Sequence, residues 1–497
     1  MAVQTLSDDS PSRTLAGPAP RRVPTTATLW ALAPSLIPAL LMLLVGRFRM
    51  GNPSLGWDEN ASWLVSQRTP AQIVDQAGHF DGVISPYYMF LHYWTAVFGD
   101  SEISMRMPSL LAVAIGVGVA GELGRRLFNP GVGLFAALLL VAVPQLSRYA
   151  QEARAYGLAF LFATTATLLL YLALDRPGKK RWAFYGLTVA LTGLAHIFAL
   201  LMLAGHFYIV VSRWWLSRDR ALFAWFPVTF VALLPVLPFV YLGATQRGGQ
   251  LAWIAEMNLD TVLAAPGAMF GATIGGLVLI GLALAARWPD HALIRELGVL
   301  AVIPPVALIG VSFVTDSVWV PRYVLFVLPA ITLCAAAALR GLRFRSLLVF
   351  VLVAATAVPD QLDLRGPATH MGADFRALAK VVTKNQQPGD VIVYAALGNW
   401  SLRAGMDYQL RDKTRPVDIL LQTPSAEVGQ LAAVECADPA ACLGKAPRVW
   451  YFRQWKTGEP LDDVGPIGPT LKSDYRQIDI FKKTKGTLVL LERKPGR

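Results

Sequence analysis

The residues best suited to chemistry begin with Asp58 and Glu59, in the stretch Gly56-Trp57-Asp58-Glu59-Asn60. Two adjacent carboxylates sit there, just after the first long apolar run. Holding charge beside apolar surroundings is costly, so such a pair is a candidate site, although a solvated loop pair is the plainer alternative. A carboxylate so placed can take the proton from a hydroxyl that attacks a substrate. Downstream, Arg148, Glu152 and Arg154 bring cations and a third carboxylate, and Pro321-Arg322-Tyr323 brings another cation. Arginine suits phosphate because its planar fork reaches two oxygens at once. Arg322 could instead snorkel to a membrane interface. Arg154 could pair internally with Glu152, and Glu152 could be a second active-site carboxylate. His79 and Asp81 follow, and with Asp58 and Glu59 they offer imidazole and carboxylate donors for a possible divalent metal. Tyr87 and Tyr88 could stack on a ligand or serve as interfacial aromatics. His196 reads first as a hairpin or packing residue, and second as a substrate contact.

Composition says what must position these groups. The chain is 54% hydrophobic and 16% charged over 497 residues, against roughly 45–50% and 25% for a soluble domain. That implies a polytopic helical membrane protein. The net charge of +12 falls largely in short loops between apolar runs, so topology accounts for it better than nucleic acid does. No zinc-finger, RNA-recognition or basic-zipper pattern is present. A spanning helix needs about 20 apolar residues. Such runs lie at 29–46, 107–123, 131–146, 155–174, 182–195, 197–212, 222–242, 261–286, 297–314, 322–339 and 346–359. The first is too long for a signal-peptide core and is kept as a spanning helix. Basic residues mark every second loop: Arg125 and Arg126, then Arg176 to Arg181, Arg213 to Arg220, Arg287 and Arg295, and Arg340 to Arg345. The stretch 182–212 has basic loops on both flanks, so it should cross twice, with His196 at the outer hairpin.

The expectation is therefore about eleven helices over 29–359, preceded by a disordered cytoplasmic tail at 1–28. Arg47 and Arg49 run against this orientation, but fewer helices would put basic loops on both sides. The assignment collects Asp58, Glu59, His79, Asp81, Tyr87 and Tyr88 in a large first outer loop, 47–106. Its part from Pro86 to Phe98 suits a helix lying in the interface. Glu152, Arg154, Trp253 and Arg322 come to the same side. From about 360 the composition turns polar. A helix from Asp374, a turn at Pro388-Gly389-Asp390, and strands at 391–394, 448–452 and 487–491 indicate a small extracytoplasmic α/β domain over 360–497. Cys436 and Cys442 could pair there, whereas Cys334 lies in an apolar run. No nucleotide-binding loop is evident.

At these motifs the chain resembles the GT-C integral-membrane glycosyltransferases, in the branch holding protein O-mannosyltransferases and the aminoarabinose transferase of lipid A. The resemblance rests on Gly56 to Asn60, Ser85-Pro86-Tyr87-Tyr88, Phe98 to Glu102, Arg106-Met107-Pro108-Ser109 and Arg125-Arg126-Leu127-Phe128. It continues through Arg148 to Tyr156, Ala195-His196-Ile197-Phe198, Pro321-Arg322-Tyr323, Asp374-Phe375-Arg376 and Pro388 to Val391. The spacing from His79 to Pro86 is longer than in relatives, which weakens any transferred role for His79. The resemblance implies a sugar moved from a polyprenyl phosphate to an extracytoplasmic acceptor at the cell membrane, by inverting displacement. Asp58 would be the base, Glu59 a supporting or alternative carboxylate, and Arg322 first, with Arg154 and Arg148 next, the cation for the carrier phosphate. Mannose or a pentose is expected as the sugar, and a protein, glycolipid or cell-wall glycan as the acceptor. A transporter or flippase of lipid-linked sugars is the alternative; the absence of an internal repeat and of mid-helix charge argues against it.

Overall fold

The computed structural model describes residues 26–287, 291–340, 343–454, 458–459, 461 and 464–495; the tail expected at 1–28 lies, up to residue 25, outside them. Helix α1 (Thr26–Arg47) opens the bundle. Its last carbonyls are satisfied from a distance: Gln151 Nε2 donates to Gly46 O at 2.6 Å and Arg365 Nη2 to Val45 O at 2.8 Å. A helix end buried without such partners would carry unpaired acceptors.

The loop 47–106, expected on the outer side, is largely helical. It folds as α2 (Trp57–Ser66), α3 (Pro70–His79), a short turn at Gly82–Ile84 and α4 (Ser85–Phe98). A capping box starts α3, with the Thr69 hydroxyl accepting from Gln72 N and the Gln72 side chain reaching back to Thr69 N. Helix α4 buries Tyr87, Tyr88 and Leu91 and leaves Phe90, Tyr93, Val97 and Phe98 exposed, the outer apolar face expected of a helix lying in an interface.

The bundle continues with α5 (Glu102–Leu127), α6 (Pro130–Ala142), α7 (Pro144–Ala150), α8 (Tyr156–Asp175) and α9 (Lys179–Ala195). Among the described residues seven helices are long and apolar enough to cross a membrane, or nine if two bent pairs each count as one span. Helices α1 and α9 occupy the remaining two apolar runs. The bent pairs differ from the straight spans expected at 131–146 and 261–286. Helices α6 and α7 meet at 71°, where Pro144 has no N–H to continue the ladder. Leu259–Phe270 and Thr273–Leu284 meet at 89°. There Gly271 takes φ +71° and closes the helix, and a Cβ on it would stand 2.9 Å from Gln145 N. Both breaks thus pack together, and α7 carries Arg148 to its ion pair with Glu152.

The C-terminal unit is a small α/β domain. Helix Phe375–Asn385 is capped by Asp374, whose Oδ1 accepts from Ala377 N at 3.0 Å. Strands are β1 (Val391–Tyr394), β2 (Val417–Asp418), β3 (Leu421–Thr423), β4 (Val434–Glu435), β5 (Arg448–Gln454), β6 (Tyr475–Lys483) and β7 (Gly486–Arg493). The main sheet runs β2-β1-β5-β7-β6, parallel on the β1 side and antiparallel across β5, β7 and β6; β3 and β4 form a separate pair. Trp450, Tyr451, Phe452, Phe375 and Leu488 fill its core. Cys436 and Cys442 form a disulfide, and Cys334 is a buried free thiol.

This domain sits on α2 through helix Asn399–Leu410. Trp57 meets Trp400 edge-on at 5.9 Å and Trp63 meets Tyr408 at 5.3 Å. Asn60 Nδ2 donates to Ser401 O at 3.2 Å, and Trp57 Nε1 to Gln454 Oε1 at 3.2 Å. Each aromatic pair is worth about 0.5–1.5 kcal/mol beyond the area it buries. The partly exposed Arg376–Glu102 pair adds about 1 kcal/mol at most, so the aromatic faces dominate the docking.

At the start of α2 the carbonyl of His370 presses onto Gly56: a Cβ there would lie 1.5 Å from His370 O. Gly56→Ala is therefore expected to lower the melting temperature of the detergent-solubilised protein by several degrees. Gly78→Ala, where a Cβ meets nothing within 4 Å, should leave it unchanged or slightly raised. Equal melting temperatures for all three proteins would refute this contact.

Candidate active site

With about 3.6 residues per turn, consecutive residues of α2 face different neighbours. Trp57 and Asn60 face the C-terminal domain, Glu59 faces the bundle, and Asp58 faces a cavity. Glu59 is fully buried. Its Oε1 accepts from Arg106 Nε at 2.7 Å and Ala153 N at 3.0 Å, and its Oε2 from Arg106 Nη2 at 2.7 Å and Gly56 N at 3.2 Å. His370 Nδ1 lies 2.8 Å from Oε2. Burial pushes the His370 imidazole down to about 3, so it is neutral and donates Nδ1–H to the carboxylate. Burial alone would raise the Glu59 carboxyl, but Arg106 and His370 outweigh it and hold it well below its usual range. Arg106, on α5, spends its remaining N–H groups on the carbonyls of Met50, Pro53 and Ser54. Of the two tasks open to Glu59, this geometry favours support: every oxygen is engaged and none faces the cavity.

Asp58 is placed differently. Its Oδ1 is 3.3 Å from Arg154 Nη2 and its Oδ2 is 3.7 Å from Arg322 Nη2. Burial pushes its carboxyl up, yet Arg154, Arg322 and Arg148 together bring it below the usual carboxylate value. Asp58 opens onto a cavity of about 140 Å³ that Asp81, Arg154, His196, Trp253 and Arg322 also line. Six separate stretches of the chain meet there.

Arg322 is enclosed rather than snorkelling. Its Nε donates to Tyr156 OH at 2.8 Å, and its guanidinium lies 5.0 Å from the Trp253 ring, 5.4 Å from Tyr156 and 5.5 Å from Tyr323. Such ring faces stabilise a desolvated cation. Arg154 Nη1 donates to Tyr88 OH at 2.9 Å, and Tyr88 OH donates to Asp81 Oδ2 at 2.7 Å. Tyr88 thus links Asp81 to Arg154 from below the cavity wall. Burial raises the Asp81 carboxyl, opposed by Arg154 and Tyr88. His196 lines the cavity, and burial, reinforced by Arg322 and Arg154, pushes its imidazole down to about 3. It is a neutral ring, 4.6 Å from that of Tyr323, and its Nδ1 has no partner among the described residues.

Other expected site residues stand back. Glu152 pairs with Arg148 at 2.8 Å, not with Arg154 as the sequence suggested. Burial lifts its carboxyl to about 7, against Arg148 and with Asp58 and Glu59. Neither Arg148 nor Glu152 lines the cavity. Tyr87 is buried against Phe90. His79 is not brought to the site: it is half-exposed at the end of α3, with Nδ1 2.9 Å from Asp75 O. Of the four side chains that could share a divalent cation, only Asp58 and Asp81 face the cavity. Among the described residues no group of three or more His, Cys, Asp or Glu is arranged to hold a metal.

Three contributors escaped the sequence reading: Arg106, His370 and Tyr156. Arg106 had a signal, since an arginine at the edge of an apolar run needs a buried carboxylate. His370 had none, because its partner is 311 positions away.

The depressed Glu59 carboxyl makes a pH-dependent prediction. Its contribution to stability is present above the ordinary value of 4.5 and lost as pH falls through its lower folded value. Glu59→Gln leaves Arg106 buried without its counter-charge, which costs about 3–5 kcal/mol. The melting-temperature gap between wild type and Glu59→Gln should be widest near neutral pH and narrow below pH 4.5. A gap independent of pH would remove the ion pair from the account.

Residues 86–242 match the family described as dolichyl-phosphate-mannose-protein mannosyltransferase. No curated protein sequence matches the chain. Among solved structures, ArnT from Cupriavidus metallidurans in the apo state is similar with a TM-score of 0.60, at 15% identity, over 94% of this chain and 98% of that one. The same protein bound to undecaprenyl phosphate matches with a TM-score of 0.59, at 15% identity and the same coverage of both chains. The chain therefore shares the fold of ArnT and forms a polytopic helical bundle with an appended small sheet domain.

Proposed function

We propose that the protein is an inverting glycosyltransferase, moving a sugar from a polyprenyl phosphate to an acceptor hydroxyl on the extracytoplasmic side. The observation that carries this reading is a single carboxylate, Asp58, set between two arginines in one cavity. Arg322 and Arg154 would take the phosphate of the carrier, which is also the leaving group. The acceptor oxygen attacks the anomeric carbon from the opposite face, the bond from that carbon to the phosphate oxygen breaks, and the hydroxyl proton passes to Asp58. Phosphate already leaves well once its charge is held, so proton removal is the task left to a side chain. When bound, the phosphate draws the two guanidinium groups away from Asp58, and the carboxylate becomes a better base as it loses them.

Two further features support the setting. The Cys436–Cys442 disulfide fits an oxidising compartment, and its domain packs on the helix that carries Asp58. The fold relative holds undecaprenyl phosphate, a donor carrier suited to a compartment without nucleotide sugars. Mannose or a pentose is the proposed sugar, and a protein, glycolipid or cell-wall glycan the proposed acceptor.

The test is transfer from radiolabelled polyprenyl-phosphate mannose and arabinose in membranes. Asp58→Asn is expected to reduce turnover about 10²–10⁴-fold with the protein still folded, and Arg322→Ala to raise the donor KM. Full activity in Asp58→Asn would overturn the assignment. With Arg154 and Arg322 supplying positive charge beside Asp58, transfer is expected to survive EDTA. Loss of activity restored by Mn²⁺ would instead make Asp58 and Asp81 ligands of a divalent metal.

A further inference from the structure

Asp81 shares the cavity with Asp58 but has no step in the proposed transfer. It is 8% exposed. Its backbone is left-handed, with φ +56° and ψ 27°, a conformation that aspartate tolerates better than most side chains. The surroundings hold that turn. Ile84 N donates to Asp81 O at 2.9 Å, and Gly82 N donates to Gln246 Oε1 at 3.0 Å. Gln246, on helix Leu237–Leu251, also donates its Nε2 to Ala77 O at 2.8 Å. The chain is thus pinned on both sides of Asp81. Tyr88 OH takes Asp81 Oδ2. The other oxygen, Oδ1, accepts no hydrogen bond among the described residues and is not enclosed by protein, so it is the oxygen that Asp81 shows the cavity. Arg154 stops at Tyr88 OH and Asp58, and does not pair with Asp81.

The formal charges on the wall cancel: Asp58 and Asp81 against Arg154 and Arg322. A lipid phosphodiester brings one negative charge, which the two arginines meet. A carboxylate or phosphate on the sugar would bring another, opposed at close range by Asp81. What Asp81 Oδ1 can accept from is a hydroxyl. Gln250 adds to this wall. It lines the cavity and donates its Nε2 to Gln246 Oε1 at 2.9 Å, and its own carbonyl oxygen accepts nothing among the described residues. Tyr88 ties Asp81 to Arg154, so the group nearest Asp81 is the one attached to the phosphate that Arg154 would hold. We propose that Asp81 determines which donor sugar is taken: its Oδ1 accepts from a ring hydroxyl of an uncharged pentose or hexose, and its charge turns away acidic sugars. The inference rests on the transferase reading for the phosphate at Arg154 and Arg322.

The test compares lipid phosphodiesters that differ only in what they carry. Purified full-length protein in detergent is titrated with the methyl, mannosyl, arabinosyl, glucuronosyl and glucosaminyl diesters of decaprenyl phosphate. Binding is followed by tryptophan fluorescence, since Trp253 lines the cavity, and EDTA keeps a metal shared by Asp58 and Asp81 out of the comparison. The mannosyl or arabinosyl diester should bind about tenfold more tightly than the methyl diester, and the glucuronosyl diester no more tightly than the methyl one. Asn and Gly both suit a left-handed backbone, so Asp81→Asn should fold, with Asp81→Gly in reserve. Asp81→Asn keeps a carbonyl for Tyr88 and replaces the open acceptor with N–H donors. It should weaken the neutral-sugar diester about tenfold, strengthen the glucuronosyl diester and leave the methyl diester unchanged. Asp81→Gly should likewise weaken only the neutral-sugar diester. The proposal is overturned if the methyl diester weakens equally, the result of a merely structural role. It is also overturned if the folded variants bind the neutral-sugar diesters unchanged, or if the wild type prefers the glucuronosyl or glucosaminyl diester. If the Asp81-dependent preference holds while no sugar is transferred, the transferase reading fails and the site for a neutral sugar on a lipid phosphate stands.

Discussion

The fully buried pair of Arg106 and Glu59 is the constraint on which the half of the molecule around the cavity depends. Taking two ions out of water costs several kcal/mol each, and their attraction offsets this only when the geometry is good and the spare donors are used. Here both conditions hold, because Glu59 is met bidentately and the remaining Arg106 N–H groups bind three backbone carbonyls of the segment before α2. Net stability from such a pair is modest beside a well-packed apolar alternative. What it supplies is position. It ties α5, the 50–54 segment, α2, the backbone at Ala153 and the His370 linker to one point. Once Glu59 is turned inward, the helical repeat leaves Asp58 facing the cavity.

Asp58, Asp81, Arg154 and Arg322 bring the charges that line the cavity. Two arginines face it, and Asp58 is the carboxylate they hold ionised, while burial works against ionisation of Asp81. Ring faces and a tyrosine hydroxyl stabilise Arg322, but rings do not neutralise it. An anion entering this space would compete with Asp58 for the two arginines. The same guanidinium groups that weaken Asp58 as a base in the empty site would be occupied in the filled one, so binding and activation are coupled through a single charge balance. His196, held neutral, adds a polar edge without adding to the positive charge.

Much of this was legible before folding. Hydropathy placed a helix on each of eleven runs, since each apolar stretch must satisfy its own backbone. The positive-inside pattern put Asp58, Arg154, His196 and Arg322 on one side, and the structure brings these four to one cavity. What escaped was set by distance or by exposure. The partner of Glu59 could not be read locally, because Arg106 and His370 come from α5 and the linker to the C-terminal domain. The Glu152 pairing went to Arg148 because the two stand four residues apart across the C-terminal end of α7. Strand β6 was missed because its edge position leaves it polar and exposed, with Arg476, Gln477 and Asp479 in sequence. The 89° break at Gly271 was hidden inside an unbroken apolar run, where hydropathy has no vocabulary for a left-handed residue.

Adjacent acidic residues invite the reading that they share a task, and the structure divides it instead. A side chain that must accept a proton needs access, an unsaturated oxygen and a tunable charge. One that must hold a helix in rotation needs the reverse: full burial, saturation and a fixed charge. Asp58 and Glu59 are neighbours in sequence but meet these opposite requirements, because one helical step of α2 separates a solvent-reaching wall from the bundle interior. Under the proposed function, Asp58 is the positioned group and Glu59 its anchor, and a substitution at either is expected to lower transfer for different physical reasons.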